Sequence, residues 1–332
     1  MTSKRVATRI LLVSIAALAL SRPTASQSLG TAASFAVLSS GDVTFKNRDN
    51  VNAPSGEGIC PGPVGCLGDV GGVTVLMGRG NGAAPDTVSG DVIASASSAL
   101  GLNCSGNPPG TTAICLGNDS EVGGLCATGG GAVDSPTECA AGADTSGSNS
   151  DVTSLLPQAY LAMASFSTSL SLLAVTKSLP EIALGTGGTT TICASSGLNV
   201  ITVSAITTGT NATITIKAGA MDTVVINLGS SSASGSLQLG NGASVVLSGG
   251  ITPDRVIFNL LGGSTTAQLR NNTTFNGSIL APQGQFTSGD GNTPNPITIN
   301  GALLFDGSVA IGNNTNLNFY PFVGVSGSAG GV

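Results

Sequence analysis

Phe275-Asn276-Gly277-Ser278-Ile279-Leu280-Ala281 is followed 24 residues later by Ile299-Asn300-Gly301-Ala302-Leu303-Leu304-Phe305, and Val88-Ser89-Gly90-Asp91-Val92-Ile93-Ala94 has the same shape. The common form is apolar, polar, Gly, small or polar, then three apolar positions. A period in the low twenties is that of one coil of a β-solenoid, whose coils bury their apolar side chains against the coils above and below. The Gly lets the chain turn a corner between sheets where a side chain would not fit.

The surrounding sequence agrees. From Ile182 onward the chain is nearly all strand signal: Thr213–Ile216, Thr223–Leu228, Ser244–Leu247 and Arg255–Leu260 follow one another with Gly, Asn or Ser between. In Ile297-Thr298-Ile299-Asn300 the alternation places Ile inward and Thr and Asn outward. Before that, Phe35–Leu38, Val43–Phe45, Val73–Met77 and Val88–Ala94 read as short strands. Residues 100–150 are rich in Gly, Ser, Asp and Cys without periodicity, and read as a looped insertion. Residues 151–179 differ in kind. Leu156, Tyr160, Met163, Phe166, Leu170 and Leu173 recur at steps of three and four, the period of one helix face. Asp151 or Ser154 is the expected N-cap, Pro157 is tolerated in the first turn, and Pro180 is the expected stop. The expected fold is mainly β: a right-handed parallel β-helix with one long α-helix packed alongside.

Composition sets the compartment. Lys4, Arg5 and Arg9 precede the apolar run Ile10–Leu20, which Arg22 and Pro23 break before the small residues Thr24, Ala25 and Ser26. That is the order of a secretory signal peptide over 1–26, with an uncleaved anchor as the competing reading; the run falls short of the ~20 residues a membrane span needs. The chain has 11 basic and 17 acidic residues, and four basic ones leave with the signal, so the remainder carries a net charge of −10. Phosphate binding needs clustered Lys and Arg, so nucleic acid is not an expected partner; no other apolar run approaches spanning length, so membrane insertion after signal cleavage is not expected either. With no Trp and two Tyr, the core has to be built from Val, Ile, Leu and Ala in thin layers. Cys60, Cys66, Cys104, Cys115, Cys126 and Cys139 are disulfide candidates, paired with their neighbours as 60/66, 104/115 and 126/139, with Cys193 left over. Zinc is not expected, because the chain has no His and no C-x-x-C pair.

Chemistry is sparse. Without His there is no Ser-His-Asp triad. From residue 182 onward the acids are Asp222, Asp254, Asp290 and Asp306. They are too scattered for a paired-carboxylate glycosidase site unless the coils stack two of them. No phosphate loop or dinucleotide fingerprint occurs, and Gly78-x-Gly80-x-Gly82 opens no helix. Asp86, Asp91, Asp119 and Glu121 are candidates for a structural calcium, at a spacing that is not diagnostic. No cofactor, catalytic residue or metal ligand is therefore assigned. What remains is a surface. The outward positions Thr213, Thr215, Thr223, Thr273, Ser278, Thr298, Asn300 and Ser308 are the binding-face candidates. A rigid, flat, weakly polar sheet has little entropy to lose on binding, and it suits ice, a polysaccharide or another cell's coat; Thr also has simple β-propensity.

Leu29-Gly-Thr-Ala-Ala-Ser-Phe-Ala-Val-Leu38 resembles the opening of the ice-binding-like β-helix domains. Arg255–Leu260, Phe275–Pro282, Ile299–Gly301 and the closing Phe319-Tyr-Pro-Phe322 resemble the related adhesive domains of choice-of-anchor A type. The resemblance covers about 29–99 and 150–322. It implies a β-helix with a packed helix, secreted or displayed, acting in adhesion or, alternatively, in true ice binding (antifreeze activity), with no catalysis. A carbohydrate-active β-helix enzyme is a remote third reading. Two departures stand out: the Cys-rich 100–150 stretch, and an end at 323–332 with no sorting motif or anchor helix. The expected organisation is one domain over 27–322 with an insertion at about 100–150 and a flexible tail after it.

Overall fold

The computed structural model describes residues 28–52, 69–72, 74–77, 86–96, 112–117, 120–230, 232–292 and 294–325. Residues 1–26, where a signal peptide is expected, Cys60, Cys66, Cys104, Asp119 and the end of the tail, 326–332, lie outside the described residues. Within them the chain forms three sheets of twelve, ten and nine strands, parallel except for a short flap pairing Gly229–Ser230 with Ala233–Ser234. Each coil visits the three sheets in the same order, as Phe35–Ser39, Val43–Phe45 and Asn50–Asn52 do in the first. The fold is a right-handed parallel β-helix with a helix packed along it, as the sequence indicates. The right hand is the one a twisted strand adopts when it crosses to a parallel neighbour.

The chain does not start at an end of the solenoid. Along the twelve-stranded sheet the order runs Ala143–Asp144, Cys126–Thr128, Val92–Ala94, Asp69–Gly72, Phe35–Ser39, Leu303–Phe305, Ser278–Ala281, Val256–Leu260, Thr223–Ser230, Leu198–Val203, Lys177–Ser178. The first coil therefore sits mid-stack. The chain climbs to one end, crosses the molecule through the helix, and coils back until Val37 stands beside Leu303.

The crossing helix consists of a five-residue π-helical turn, Asp151–Leu155, and α1, Leu156–Ser171. At ~1.5 Å per residue the two cover about 31 Å. Their contacts reach from Cys126–Thr128 to Thr223–Ser230, seven strand steps of ~4.8 Å or about 34 Å. The helix thus roofs most of the twelve-stranded sheet, and the strands beneath it, such as Phe35–Ser39, Val256–Leu260 and Ser278–Ala281, are buried on both faces. Leu156, Met163, Phe166 and Leu170 are buried as the periodicity predicts. Neither Asp151 nor Ser154 caps it. Asn149 accepts the Asp151 N–H at 2.7 Å on Oδ1 and the Thr153 N–H at 3.0 Å on its carbonyl. The helix also stops at Ser171, well before Pro180, because Lys177–Ser178 must already be extended to pair with Ile201–Thr202.

The motif repeat is a true register. Phe275 pairs with Ile299, Asn276 with Asn300 and Ile279 with Leu303. The 24-residue period is local, however. Ile182, Ile206, Leu237, Ala267, Phe286 and Val309 stack in one column, so successive coils take 24, 31, 30, 19 and 23 residues. Gly301 shows why the motif needs Gly: its φ is +154°, and a Cβ there would lie 2.0 Å from the Gly277 carbonyl oxygen. The Cys/Gly-rich stretch is not a mere insertion. Thr112–Cys115, Glu121–Val122 and Cys126–Thr128 add strands to all three sheets. The tail is also held further than expected, since Val323 donates its N–H to the Asp254 carbonyl at 3.0 Å and Val325 is buried.

Candidate surface-binding face

With one sheet roofed by the helix, no helix among the described residues covers the other two. The nine-stranded sheet presents two columns of side chains. The first runs Thr189, Thr213, Ser244, Thr274, Thr298, Asn316, Asn50, Thr87. The second runs Thr191, Thr215, Val246, and continues through Asn276, Asn300, Asn318, Asn52. Sites repeat at ~4.8 Å along each column and ~6.6 Å between columns, as strand spacing and the two-residue alternation dictate. Between the columns Ile214, Val245, Phe275, Ile299, Leu317 and Val51 point inward and are buried.

The second column is tied together. Asn300 Nδ2 donates to Asn276 Oδ1 at 2.8 Å, Asn318 Nδ2 to Asn300 Oδ1 at 2.8 Å, and Asn52 Nδ2 to Asn318 Oδ1 at 3.0 Å. In the first column Asn50 Nδ2 donates to Asn316 Oδ1 at 3.0 Å and Thr87 Oγ to Asn50 Oδ1 at 2.8 Å. Such amide ladders fix rotamers along a stack of in-register strands. Each ladder amide keeps a second N–H and a second lone pair for an external partner. The described charges on this sheet's open side are Lys217 and Glu121, near opposite ends. The ten-stranded sheet also presents uncharged residues, with Thr207, Gln238, Gln268, Thr287 and Thr44 in one column. Among the described residues no hydrogen bond joins those side chains.

The predicted face residues divide. Thr213, Thr215, Thr298 and Asn300 stand on the nine-stranded sheet, and Ser308 is exposed on a turn between the other two sheets. Thr223, Thr273 and Ser278 are 7%, 0% and 0% exposed and cannot meet an outside surface. Thr223 and Ser278 belong to the roofed sheet, where the Ser278 Oγ accepts the Ala302 N–H at 3.2 Å. Thr273 is a corner residue whose hydroxyl donates to the Arg270 carbonyl. Alternation reports outward from the solenoid, but not which side the helix covers. Sequence reasoning missed Asn50, Asn52, Asn276, Asn316 and Asn318, although the paired Asn-x-Asn at 50–52 and 316–318 was a usable sign.

Residues 28–305 match the family described as "Putative Ice-binding-like adhesive domain". The chain belongs to this family. No curated protein sequence matches it. Among solved structures, an ice-binding protein from an Antarctic biological consortium aligns with TM-score 0.52 at 15% identity, covering 96% of each chain. One from the Antarctic ascomycete Antarctomyces psychrotrophicus aligns with TM-score 0.50 at 15% identity, covering 92% of this chain and all of its own. At that identity the likeness speaks for the fold.

Several acidic residues of this ice-binding-like adhesive domain serve its corners. Asp222 accepts the Gly197 N–H at 2.7 Å on Oδ1 and the Gly219 N–H at 2.6 Å on Oδ2. Asp254 occupies the same corner one coil away, but the carboxylate of Asp222 is already engaged. Asp290 accepts the Asn313 N–H at 3.0 Å and pairs with Lys46 at 3.1 Å; chiefly that N–H holds it below the usual carboxylate range. Asp91 accepts the Leu125 N–H at 2.8 Å, and burial pushes its carboxyl up. Asp49 is pushed up to about 8, first by burial and then by the nearby Asp86, against N–H bonds from Thr315 and Lys46. Cys126 and Cys139 form a disulfide, Cys115 is disulfide-bonded as well, and Cys193 is a free, exposed thiol on the end strand. No helix among the described residues is long and apolar enough to cross a membrane.

Proposed function

We propose that this domain is a non-catalytic adhesion module, exported through residues 1–26, that holds an extended, ordered, hydroxyl-rich polymer such as a polysaccharide or a cell coat against its nine-stranded sheet. The observation that carries this reading is the asparagine ladder Asn276–Asn300–Asn318–Asn52. Its amides are neutral, donate and accept together, and have rotamers already fixed by their neighbours. Immobilising a free side chain on binding costs ~0.5–1.5 kcal/mol, and a pre-ordered row avoids much of that cost at each site. Charge is nearly absent from the face, which suits a neutral polymer better than an ionic one.

Ice is the second reading. It is favoured by the threonine positions Thr189, Thr213, Thr274 and Thr298, which repeat in register along one column, and by the ice-binding descriptions of the structural neighbours.

The test is co-sedimentation of the purified protein with insoluble neutral polysaccharides, run beside an ice-recrystallisation assay at micromolar protein. Thr215→Lys with Asn300→Lys should weaken retention at least tenfold, and Thr287→Lys on the ten-stranded sheet should leave it unchanged. Binding that tolerates the first pair and fails with the third variant would move the site to the other sheet. Normal ice-grain growth with intact polymer binding removes the second reading. N-terminal sequencing of protein recovered from the medium checks export: a mature chain beginning near residue 27 is expected.

A further inference from the structure

Beside the nine-stranded sheet, at the corner where each coil arrives from the ten-stranded sheet, lies a groove of about 560 Å³. We propose that this groove is a subsite for a hexose unit of a neutral polysaccharide, an inference that rests on the adhesive reading above and names the sugar chemistry it would take.

The lining decides the ligand class by what it offers. Asn211, Asn241, Asn272 and Asn295 supply carboxamides, and Thr210, Thr274 and Thr298 supply hydroxyls. Among the described residues no lysine, arginine or carboxylate lines it, so neither a phosphate nor a metal ion finds a counter-charge there. A carboxamide presents a donor and an acceptor side by side, the pairing that adjacent sugar hydroxyls satisfy. Pro294 and Pro296 contribute apolar ring surface, against which the C–H face of a pyranose packs. The volume falls within the ~300–1,000 Å³ of small-molecule sites.

The groove is preformed. Its wall, residues 289–292 and 294–296, is tied down by Asn271 Oδ1, which accepts the Asp290 N–H at 3.0 Å, and by Asn272 Oδ1, which accepts the Asn292 N–H at 3.2 Å. Gly291 donates its N–H to the Asn313 carbonyl at 2.6 Å from the other side. The floor is open because of Gly242: its φ is +66°, and a Cβ there would lie 2.3 Å from Asn211 Oδ1. Among the described residues the side chains of Thr210, Asn211, Asn241, Thr274, Asn295 and Thr298 make no hydrogen bond within the protein, so their polar groups are open to a ligand. Thr274 and Thr298 also stand in the first column of the face, so a chain laid along the sheet reaches the groove without leaving the surface.

The experiment titrates ¹⁵N-labelled full-length protein with cellohexaose, chitohexaose, maltohexaose and mannohexaose. One of them should shift amide resonances confined to 210–211, 241–242, 272–274 and 294–298. The exposed-residue pair Asn241→Ala with Asn295→Ala should weaken that binding at least tenfold while leaving the melting temperature within about 1 °C. Shifts from none of the four sugars, or localised shifts that survive the double substitution, overturn the groove. Retained co-sedimentation with insoluble polysaccharide alongside that failure sinks the groove and leaves the face standing; loss of both sinks both.

Discussion

Replacing Asn259 with alanine tests how the helix is locked to the sheet. Asn259 is fully buried between α1 and the solenoid. Its Oδ1 accepts the Ser167 hydroxyl at 2.6 Å, and its Nδ2 donates to the Ser167 carbonyl at 3.1 Å and to Asn227 Oδ1 at 2.8 Å. Asn227 Nδ2 in turn donates to the Leu170 carbonyl at 3.2 Å near the helix end. The substitution leaves the Ser167 hydroxyl and Asn227 Oδ1 buried without these partners, each at ~1–3 kcal/mol, and opens a small void as well. The expected loss is about 3–5 kcal/mol. For a chain of this size that lowers the melting temperature by about 2 °C per kcal/mol, or roughly 6–10 °C in all. Urea unfolding followed by circular dichroism reads the free energy, with an unchanged m-value as the control. The triple change Ser167→Ala, Asn227→Leu, Asn259→Leu is the sharper test. This removes every member of the cluster and orphans none, so it should recover at least half the loss. A single substitution costing under about 1 kcal/mol, or a triple variant worse than the single, would refute the account.

The remaining predictions concern the corners. Asp49 has a folded pKa of about 8 against ~3.9 in an unfolded chain, so the folded state holds its proton more tightly. Its contribution is complete below about pH 4 and is lost as pH rises through about 8, so the melting temperature should fall from pH 5 to pH 9. Asp86→Asn removes the facing carboxylate and should reduce the fall; calorimetry across that range giving a flat wild-type profile would contradict the assignment. Gly301→Ala should drive the protein into the insoluble fraction, since the new Cβ has no room against the Gly277 carbonyl. Changing both Cys126 and Cys139 to Ser opens a disulfide spanning 13 residues and should cost about 3 kcal/mol in urea unfolding.

The sequence shows the coil but not the stacking order. The motif at 275–281 and 299–305 aligns in the folded stack residue for residue, because an apolar run, a corner glycine and an asparagine recur at the one spacing those two coils share. Residues 112–144 hid their strands because Thr112, Ala113, Cys126 and Ala127 are small and give weak contrast between inside and outside, although all four are buried. The roofed side was invisible for a different reason. Ser278 and Thr298 look alike in their local alternation, and only the path of a helix more than a hundred residues earlier in the chain buries one and leaves the other half-buried on an open sheet. The ladder joins Asn52 to Asn318 and Asn50 to Asn316, each 266 residues apart. No local pattern carries that pairing.

That separation bears on how the face works. In an open repeat array each coil meets only its neighbours, and the terminal coils fray first. Here both halves of the chain close on one seam in the middle of the stack, where Phe35–Ser39 pairs with Leu303–Phe305 and Asn50–Asn52 with Thr315–Asn318. Asp49 Oδ1 accepts the Thr315 N–H at 2.8 Å across the same seam. The asparagine ladder crosses it as well: its links from Asn52 to Asn318 and from Asn50 to Asn316 exist only once the first and last coils have docked. The helix contacts strands on both sides of the seam and so resists its opening. The continuity of the face from Asn318 to Asn52 is therefore a property of the closed molecule and not of any single coil. A substitution that loosens the seam should weaken surface binding even though it touches no residue on the open side of the sheet.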